Sequence, residues 1–182
     1  KVILGIGRLE RVKNFEMLID AFYLVYHHVK DARLIILGEG SERRNLEHHI
    51  EKLGLKDVVD LPGFVSNPYS YLSRASVFVL TSNYEGLGLV LIEAMAVGTE
   101  VIATDCPSGP REILAEGKYG RLIPLGDRDG LARALLDKLL EEDKSSFSVQ
   151  KLIERAKDFS IDEAIKQYDE LICSLLKKGK GT

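Results

Sequence analysis

Six short apolar runs punctuate the chain: Val2–Ile6, Arg33–Leu37, Val58–Leu61, Val77–Leu80, Val101–Thr104 and Arg121–Ile123. Each is continuous rather than alternating, which predicts parallel strands covered on both faces. Between them, apolar positions fall three and four apart. Met17, Leu18, Ala21, Phe22, Leu24 and Val25 form one wide face. Leu46, Ile50 and Leu53 form a second that stops near Gly54, and Leu131, Ala134, Leu135 and Leu139 mark another. A further helix is predicted from about Gly88 to Val97. This repeated strand–helix alternation predicts an α/β fold. The expected form is a Rossmann-like, doubly wound parallel sheet of about six strands, three-layer α/β/α, with right-handed crossovers.

After about Glu141 only helical patterns remain. Asp143-Lys144-Ser145-Ser146 reads as a loop and Val149 to about Phe159 as a short helix. Ser160 and Glu163 fit a capping box ahead of a last helix, Ile161 to about Leu176. That helix carries Ile165, Tyr168, Leu171, Ile172 and Leu175 on one face. Residues 1–142 are expected to form the α/β domain and residues 143–182 its C-terminal helical extension. The chain opens at Lys1 and is in an apolar strand by Val2, so it is expected to be a fragment of a longer protein.

Composition narrows the function classes. The 182 residues are 45% hydrophobic and 29% charged, with a formal charge of −3. Nothing there argues for general electrostatic binding of nucleic acid. The basic end, Lys177-Lys178-Gly179-Lys180, is too short to change that. No apolar run approaches the roughly 18 residues of a transmembrane helix, and no signal peptide is visible. Cys106 and Cys173 form no CxxC pair, so neither a disulfide framework nor a zinc site is implied. A reducing cytoplasm is the expected compartment.

Candidate chemistry gathers where strands end, because ligands of doubly wound sheets bind beyond the carboxyl ends of the strands. Four suspicious loops sit there: Gly7-Arg8, Gly38-Glu39-Gly40, Gly63-Phe64-Val65 and Glu85-Gly86-Leu87-Gly88. The last opens a helix that carries Glu93, giving a Glu-x7-Glu segment between two apolar strands. Glycine lets backbone approach a ligand closely, and the free N–H groups of a helix start attract phosphate. Arg8 and Lys13 read either as a clamp on a pyrophosphate or as solvated loop cations. Glu85, beside phosphate-binding amides, should face sugar hydroxyls or developing positive charge. Glu93 lies two turns along, roughly 10 Å away by helical rise. It reads either as a ribose ligand or as an ordinary helix charge. Its nearly all-apolar neighbours favour the former, since an unpartnered buried carboxylate is costly. A ligand with both hydroxyls and phosphates, such as a sugar nucleotide, fits this set.

Other motifs carry less. Gly5-Ile6-Gly7 begins a dinucleotide fingerprint, but Glu10 stands where the third glycine belongs, which disfavours a nicotinamide cofactor. His27-His28 and His48-His49 are adjacent pairs that point to different faces, so they read as surface imidazoles rather than metal ligands. Cys106 lacks a histidine partner in sequence and reads as a small loop residue.

Together these residues resemble the C-terminal half of a GT-B-fold retaining glycosyltransferase, of glycosyltransferase family 4 (glycosyl transferases group 1). The resemblance covers nearly the whole chain. It rests on Gly7-Arg8…Lys13-Asn14-Phe15, Leu37-Gly38-Glu39-Gly40, Leu61-Pro62-Gly63-Phe64-Val65 and the acidic pair Glu85 and Glu93. Gly98, Ala103-Thr104-Asp105, Gly109-Pro110-Arg111-Glu112-Ile113-Leu114 and Gly120 extend it. Many members have Phe where this chain has Leu87, a change that keeps the backbone amide.

The resemblance implies roles. Arg8, Lys13 and Glu85 would be catalytic, the two cations holding the donor diphosphate and Glu85 beside the transferred sugar. Gly7, Gly38, Gly40, Gly63, Gly86, Leu87, Gly88 and Leu89 would line the donor site, Phe64 and Val65 would flank the base, and Glu93 would bind the ribose. It implies no cofactor and no metal, with a nucleotide-diphosphate sugar, UDP-linked in preference, as substrate. The Thr104–Pro110 loop resembles enzymes of polysaccharide or glycan assembly. A hexosyltransferase acting in polysaccharide, lipopolysaccharide or glycan biosynthesis is implied, on a glycan or lipid-linked acceptor. The acceptor site would belong to an N-terminal domain absent from this chain, so the fragment alone should be inactive. The full-length enzyme would be cytoplasmic or peripheral at the cytoplasmic membrane face. The rival readings are a GT-B-like nucleotide-sugar epimerase and a non-catalytic sugar-nucleotide-binding module.

Overall fold

The computed structural model describes residues 1–140 and 147–178. The loop expected at Asp143–Ser146, the boundary expected at 142/143, and Gly179 and Lys180 of the basic end lie outside the described residues. Six strands form one sheet: β1 (Val2–Ile6), β2 (Arg33–Leu37), β3 (Val59–Gly63), β4 (Val77–Leu80), β5 (Val101–Thr104) and β6 (Arg121–Ile123). Their spatial order is β3-β2-β1-β4-β5-β6 and every pairing is parallel. β1 pairs with β2 from Val2↔Arg33 to Ile6↔Leu37, and on its other side with β4 through Ile3↔Val77 and Leu4↔Phe78. The winding direction therefore reverses between β1 and β4, which opens a crevice at their carboxyl ends.

The helices are α1 (Phe15–His28), α2 (Arg43–Lys52), α3 (Tyr69–Leu72), α4 (Leu89–Ala96), α5 (Pro110–Ile113), α6 (Arg128–Leu139), α7 (Val149–Lys157) and α8 (Ile161–Lys178). Successive strand residues point to opposite faces, so the sheet feeds two cores. Ile3, Val77 and Val79 meet α1, α2 and α6 through Phe22, Ile50 and Leu135. Leu4, Phe78 and Leu80 meet α4, α5 and α7 through Met95, Ile113 and Leu152. Phe22 and Phe78 are fully buried, and truncating either to Ala should cost about 3–5 kcal/mol.

Some expected boundaries move. β3 runs on to Gly63 because pairing with β2 resumes at Leu37↔Gly63 beyond an irregularity. Pro62 is tolerated because β3 lies at the sheet edge. The four-residue helices α3 and α5 are too short to leave a periodic signal. The capping box at Ser160 is half formed: the Glu163 amide donates to Ser160 Oγ at 3.3 Å, while the Ser160 amide donates to Lys157 O. α8 carries the expected apolar row, and Ile161, Ile165, Tyr168, Leu171, Ile172 and Leu175 are all exposed. No described helix is long and apolar enough to cross a membrane.

Candidate functional site

The crevice is closed from below by two loops. β1 leads into Gly7 and Arg8, then a single 3-10 turn, Arg11–Lys13, ending on Asn14 in the left-handed conformation (φ 50°). This turn folds Lys13 back over Gly7, where a Cβ would stand 3.5 Å from Lys13 Cδ and Cε. β4 leads into Thr81, Ser82 and Asn83, which zip the two loops together. Thr81 Oγ1 donates to Lys13 O at 2.9 Å, the Asn83 amide donates to Val12 O at 2.8 Å, and Asn14 Nδ2 donates to Asn83 Oδ1 at 3.2 Å.

Across this junction Lys13 Nζ lies 2.6 Å from Glu85 Oε1. Ser82 Oγ donates to the same oxygen at 2.6 Å, and Thr104 Oγ1 donates to Ser82 O at 2.5 Å. Glu85 is only 8% exposed, yet it is matched by a charge and a hydroxyl, as a buried carboxylate requires. Cys106 lies close by. Burial, with the Glu85 charge second, pushes its thiol above the ordinary value, so it stays protonated and is a poor nucleophile.

The glycine loop follows. Gly88 takes φ +85° at the start of α4. Among the described residues, the amides of Gly86, Leu87, Gly88, Leu89 and Val90 meet no acceptor. A Cβ on Gly86 would meet nothing within 4 Å. Gly109, at φ +80°, lies against this loop so closely that a Cβ would stand 2.0 Å from Leu87 O. Arg111 anchors that lower loop by pairing with Asp105 and Glu116.

A second row of loops adjoins the first. The Leu9 amide donates to Glu39 O at 2.9 Å and the Gly38 amide to Gly63 O at 2.9 Å. A Cβ on Gly38 would stand 1.9 Å from Gly7 O, and one on Gly40 would stand 2.4 Å from Leu9 O. Packing between loops thus already demands glycine at both positions. Phe64 stands 80% exposed, whereas Val65 is half-buried against the core beneath α4.

The structure brings Gly7, Lys13, Glu85 and the 86–88 loop together, with Gly38, Gly40 and Gly63 alongside. Arg8 is exposed, and its guanidinium forms no hydrogen bond among the described residues. Glu93 is half-buried, and its carboxylate has no hydrogen-bond or ion-pair partner among them. The expectation of Glu93 on a buried helix is corrected to a half-buried one: α4 is short and its outer side is open, leaving Leu89 64% exposed. His49 also departs from a bare surface imidazole, since its Nε2 lies 2.6 Å from Asp20 Oδ1 and ties α2 to α1. Sequence reasoning gave no role in the site to Asn14, Thr81, Ser82, Asn83, Thr104 and Gly109, although Asn14, Thr104 and Gly109 lie in the segments that carry the resemblance. Of these, Ser82, three residues before Glu85, is near enough in sequence to be read as its partner.

Surface hollows lie elsewhere. One runs between the Glu10–Glu16 segment and α2, and another joins Leu87 to Glu112, Arg155, Phe159 and Glu163; Lys13 and Glu85 line neither. Among the described residues no group of three or more His, Cys, Asp or Glu could hold a metal ion.

Comparison with known proteins places this geometry. The family model described as glycosyl transferases group 1 matches residues 1–159, and the chain belongs to that family. It is 35% identical over 199 aligned residues to the uncharacterized glycosyltransferase MJ1059 of Methanocaldococcus jannaschii, covering 94% of this chain and 49% of the relative. It is 38% identical over 145 residues to a Campylobacter jejuni protein, covering 79% of this chain and 38% of that one. That relative is N-acetylgalactosamine-N,N'-diacetylbacillosaminyl-diphospho-undecaprenol 4-alpha-N-acetylgalactosaminyltransferase. A solved structure of an S. aureus TarM mutant with Fondaparinux, alpha-GlcNAc-glycerol and UDP superposes with a TM-score of 0.86 at 28% identity. It covers 94% of this chain and 35% of TarM. The chain thus spans half or less of the length of these relatives.

Proposed function

We propose that this member of glycosyl transferases group 1 is the donor-binding half of a retaining enzyme of glycosyltransferase family 4. Its donor is a nucleotide-diphosphate sugar, UDP-linked in preference, and its acceptor a glycan or lipid-linked glycan under assembly. One observation carries the reading: a part-buried Lys13–Glu85 pair stands at the sheet's reversal point, beside a run of amides at residues 86–90 that meet no acceptor among the described residues. UDP in the TarM structure supports the nucleotide. The alpha linkage and diphospho-undecaprenol acceptor in the C. jejuni relative's name support the product class.

In this reading the diphosphate lies over Gly7 and the 86–90 amides, where the start of α4 favours negative charge. Lys13 and Arg8 neutralise the leaving diphosphate as the bond from the anomeric carbon to its oxygen breaks. The acceptor hydroxyl bonds to the same face of that carbon and passes its proton to the departing phosphate oxygen, so configuration is retained. Glu85 accepts hydrogen bonds from sugar hydroxyls through Oε2, because Lys13 and Ser82 occupy Oε1. Glu93 accepts from the ribose, and Phe64 offers its ring to the base. No metal is needed where two cations and a helix start supply the charge.

The acceptor site lies in a further domain, and the exposed apolar row of α8 is the surface that would meet it. The 182-residue chain alone should bind nucleotide and transfer nothing. Calorimetry with UDP, GDP and ADP tests this, with UDP expected to bind best. Folded protein that binds none of the three overturns the proposal.

A further inference from the structure

Arg43, the first residue of α2, is unclaimed by the site above, yet it is the most heavily bonded cation near it. Its Nε and Nη2 donate to the two carboxylate oxygens of Glu39, both at 2.7 Å. Nη1 donates to Glu47 at 2.8 Å, and Nη1 and Nη2 both reach Leu61 O at 3.2 Å. Glu39 belongs to the Gly38–Gly40 loop, and Leu61 O belongs to β3 just before Gly63 and Phe64. One guanidinium therefore ties the β2 loop to the end of β3.

The tie closes on Gly63. A Cβ there would stand 2.7 Å from Glu39 Oε1 and 3.6 Å from Arg43 Nη2, and Gly63 takes φ +90°. The clamped carboxylate thus lies against the residue that presents Phe64, whose ring is 80% exposed. An apolar ring held outward by such a turn is a surface for a flat aromatic ligand, on which a base can stack. A two-point Arg–carboxylate pair supplies geometry that Lys could not. The Arg43 hydrogen bonds hold the Glu39 carboxyl below its ordinary value, so the charged pair extends further toward acid than a free glutamate would allow.

We propose that Arg43 is a positioning residue for the nucleobase of the donor, acting through Glu39 and Leu61 O to hold the Gly63–Phe64 turn as a stacking platform. This rests on the donor-binding reading above. A merely structural Arg43 would affect base and phosphate binding alike, so the test separates them. UDP and inorganic pyrophosphate are titrated calorimetrically into the 182-residue chain and its Arg43→Met, Arg43→Lys, Glu39→Gln and Phe64→Ala variants. Arg43→Met is expected to weaken UDP about tenfold, the scale of one stacked base, while pyrophosphate stays within about twofold. Phe64→Ala should give the same split, and the double variant should lose little more than either single one. Arg43→Lys and Glu39→Gln should fall between, and they carry the test if Arg43→Met does not fold. Equal losses for both ligands, or UDP binding unchanged, overturn the proposal. Wild-type chain that binds no UDP removes the donor reading itself; wild-type binding with unaffected variants removes only the role of Arg43.

Discussion

Lys13 and Glu85, 72 residues apart in sequence, meet with Nζ 2.6 Å from Oε1. They sit at the carboxyl ends of β1 and β4, the neighbouring strands where the sheet reverses. Lys13 is the cation assigned to the diphosphate, and Glu85 the acid assigned to the sugar. In the proposed donor site the pair would therefore set the spacing between the two halves of the donor before any ligand arrives.

Breaking that pair should show in both stability and function. With the two side chains 19% and 10% exposed, Lys13→Met should destabilise by about 2 kcal/mol, between surface and fully buried pairs. A denaturant double-mutant cycle with Glu85→Gln should return a coupling of about 1 kcal/mol. In the full-length enzyme Lys13→Ala and Glu85→Ala should each cut turnover on the order of 100-fold with the fold retained. Near-normal rates would remove both assignments.

Two glycines separate ligand approach from chain packing. Gly86→Ala should leave stability within about 0.5 kcal/mol, because the added methyl meets only open space. It should nevertheless weaken UDP about tenfold or more, since the methyl would stand in the path of the phosphates. Gly109→Ala should cost about 2 kcal/mol or more, from its positive φ and the collision with Leu87 O. Thermal melts and calorimetry on the two variants decide; a stability loss at Gly86 without a binding loss would reverse the assignment.

The two thiols should differ sharply. Exposed Cys173 should alkylate readily at neutral pH, and buried Cys106 only on unfolding or at high pH. The raised Cys106 value means the folded chain holds that proton more tightly than the unfolded chain does. Its stabilising contribution is complete below the ordinary thiol value of 9.0 and is lost as pH rises through the higher folded value. Mass spectrometry of timed labelling reads the order, and equal rates would place Cys106 outside the core.

The α8 row should be silent in this chain. Leu171→Asp should change stability by less than about 0.5 kcal/mol, whereas Leu152→Ala, at a fully buried position on α7, should cost about 2–5 kcal/mol. In the full-length protein Leu171→Asp should become destabilising. A neutral result there as well would mean that the row meets no other part of the protein.

Much was legible in the sequence, and for a local reason. Buried parallel strands are short continuous apolar runs, and long helices repeat apolar positions at three and four. β1, β2, β4, β5 and β6 follow from runs such as Val77–Leu80, and α1 from the spacing of Leu18, Phe22 and Val25. The Gly86–Gly88 loop before a helix likewise announces the turn from β4 into α4. β3 escaped at its C-terminal end because Pro62 and Gly63 are poor strand residues, held there by pairing with Leu37.

The sequence by itself determined the longer elements and the fold class, because each is written within a window of a few residues. Tertiary structure alone decided that β1 lies between β2 and β4. It alone put Lys13 on Glu85, set Cys106 beside that carboxylate, and turned Gly109 into the floor of the Gly86–Gly88 loop. These are contacts across tens of residues, governed by strand order and loop closure, and no spacing along the chain encodes them. It also exposed Phe64 and half-buried Val65, a choice between adjacent apolar residues made only by which side of the turn the core lies on.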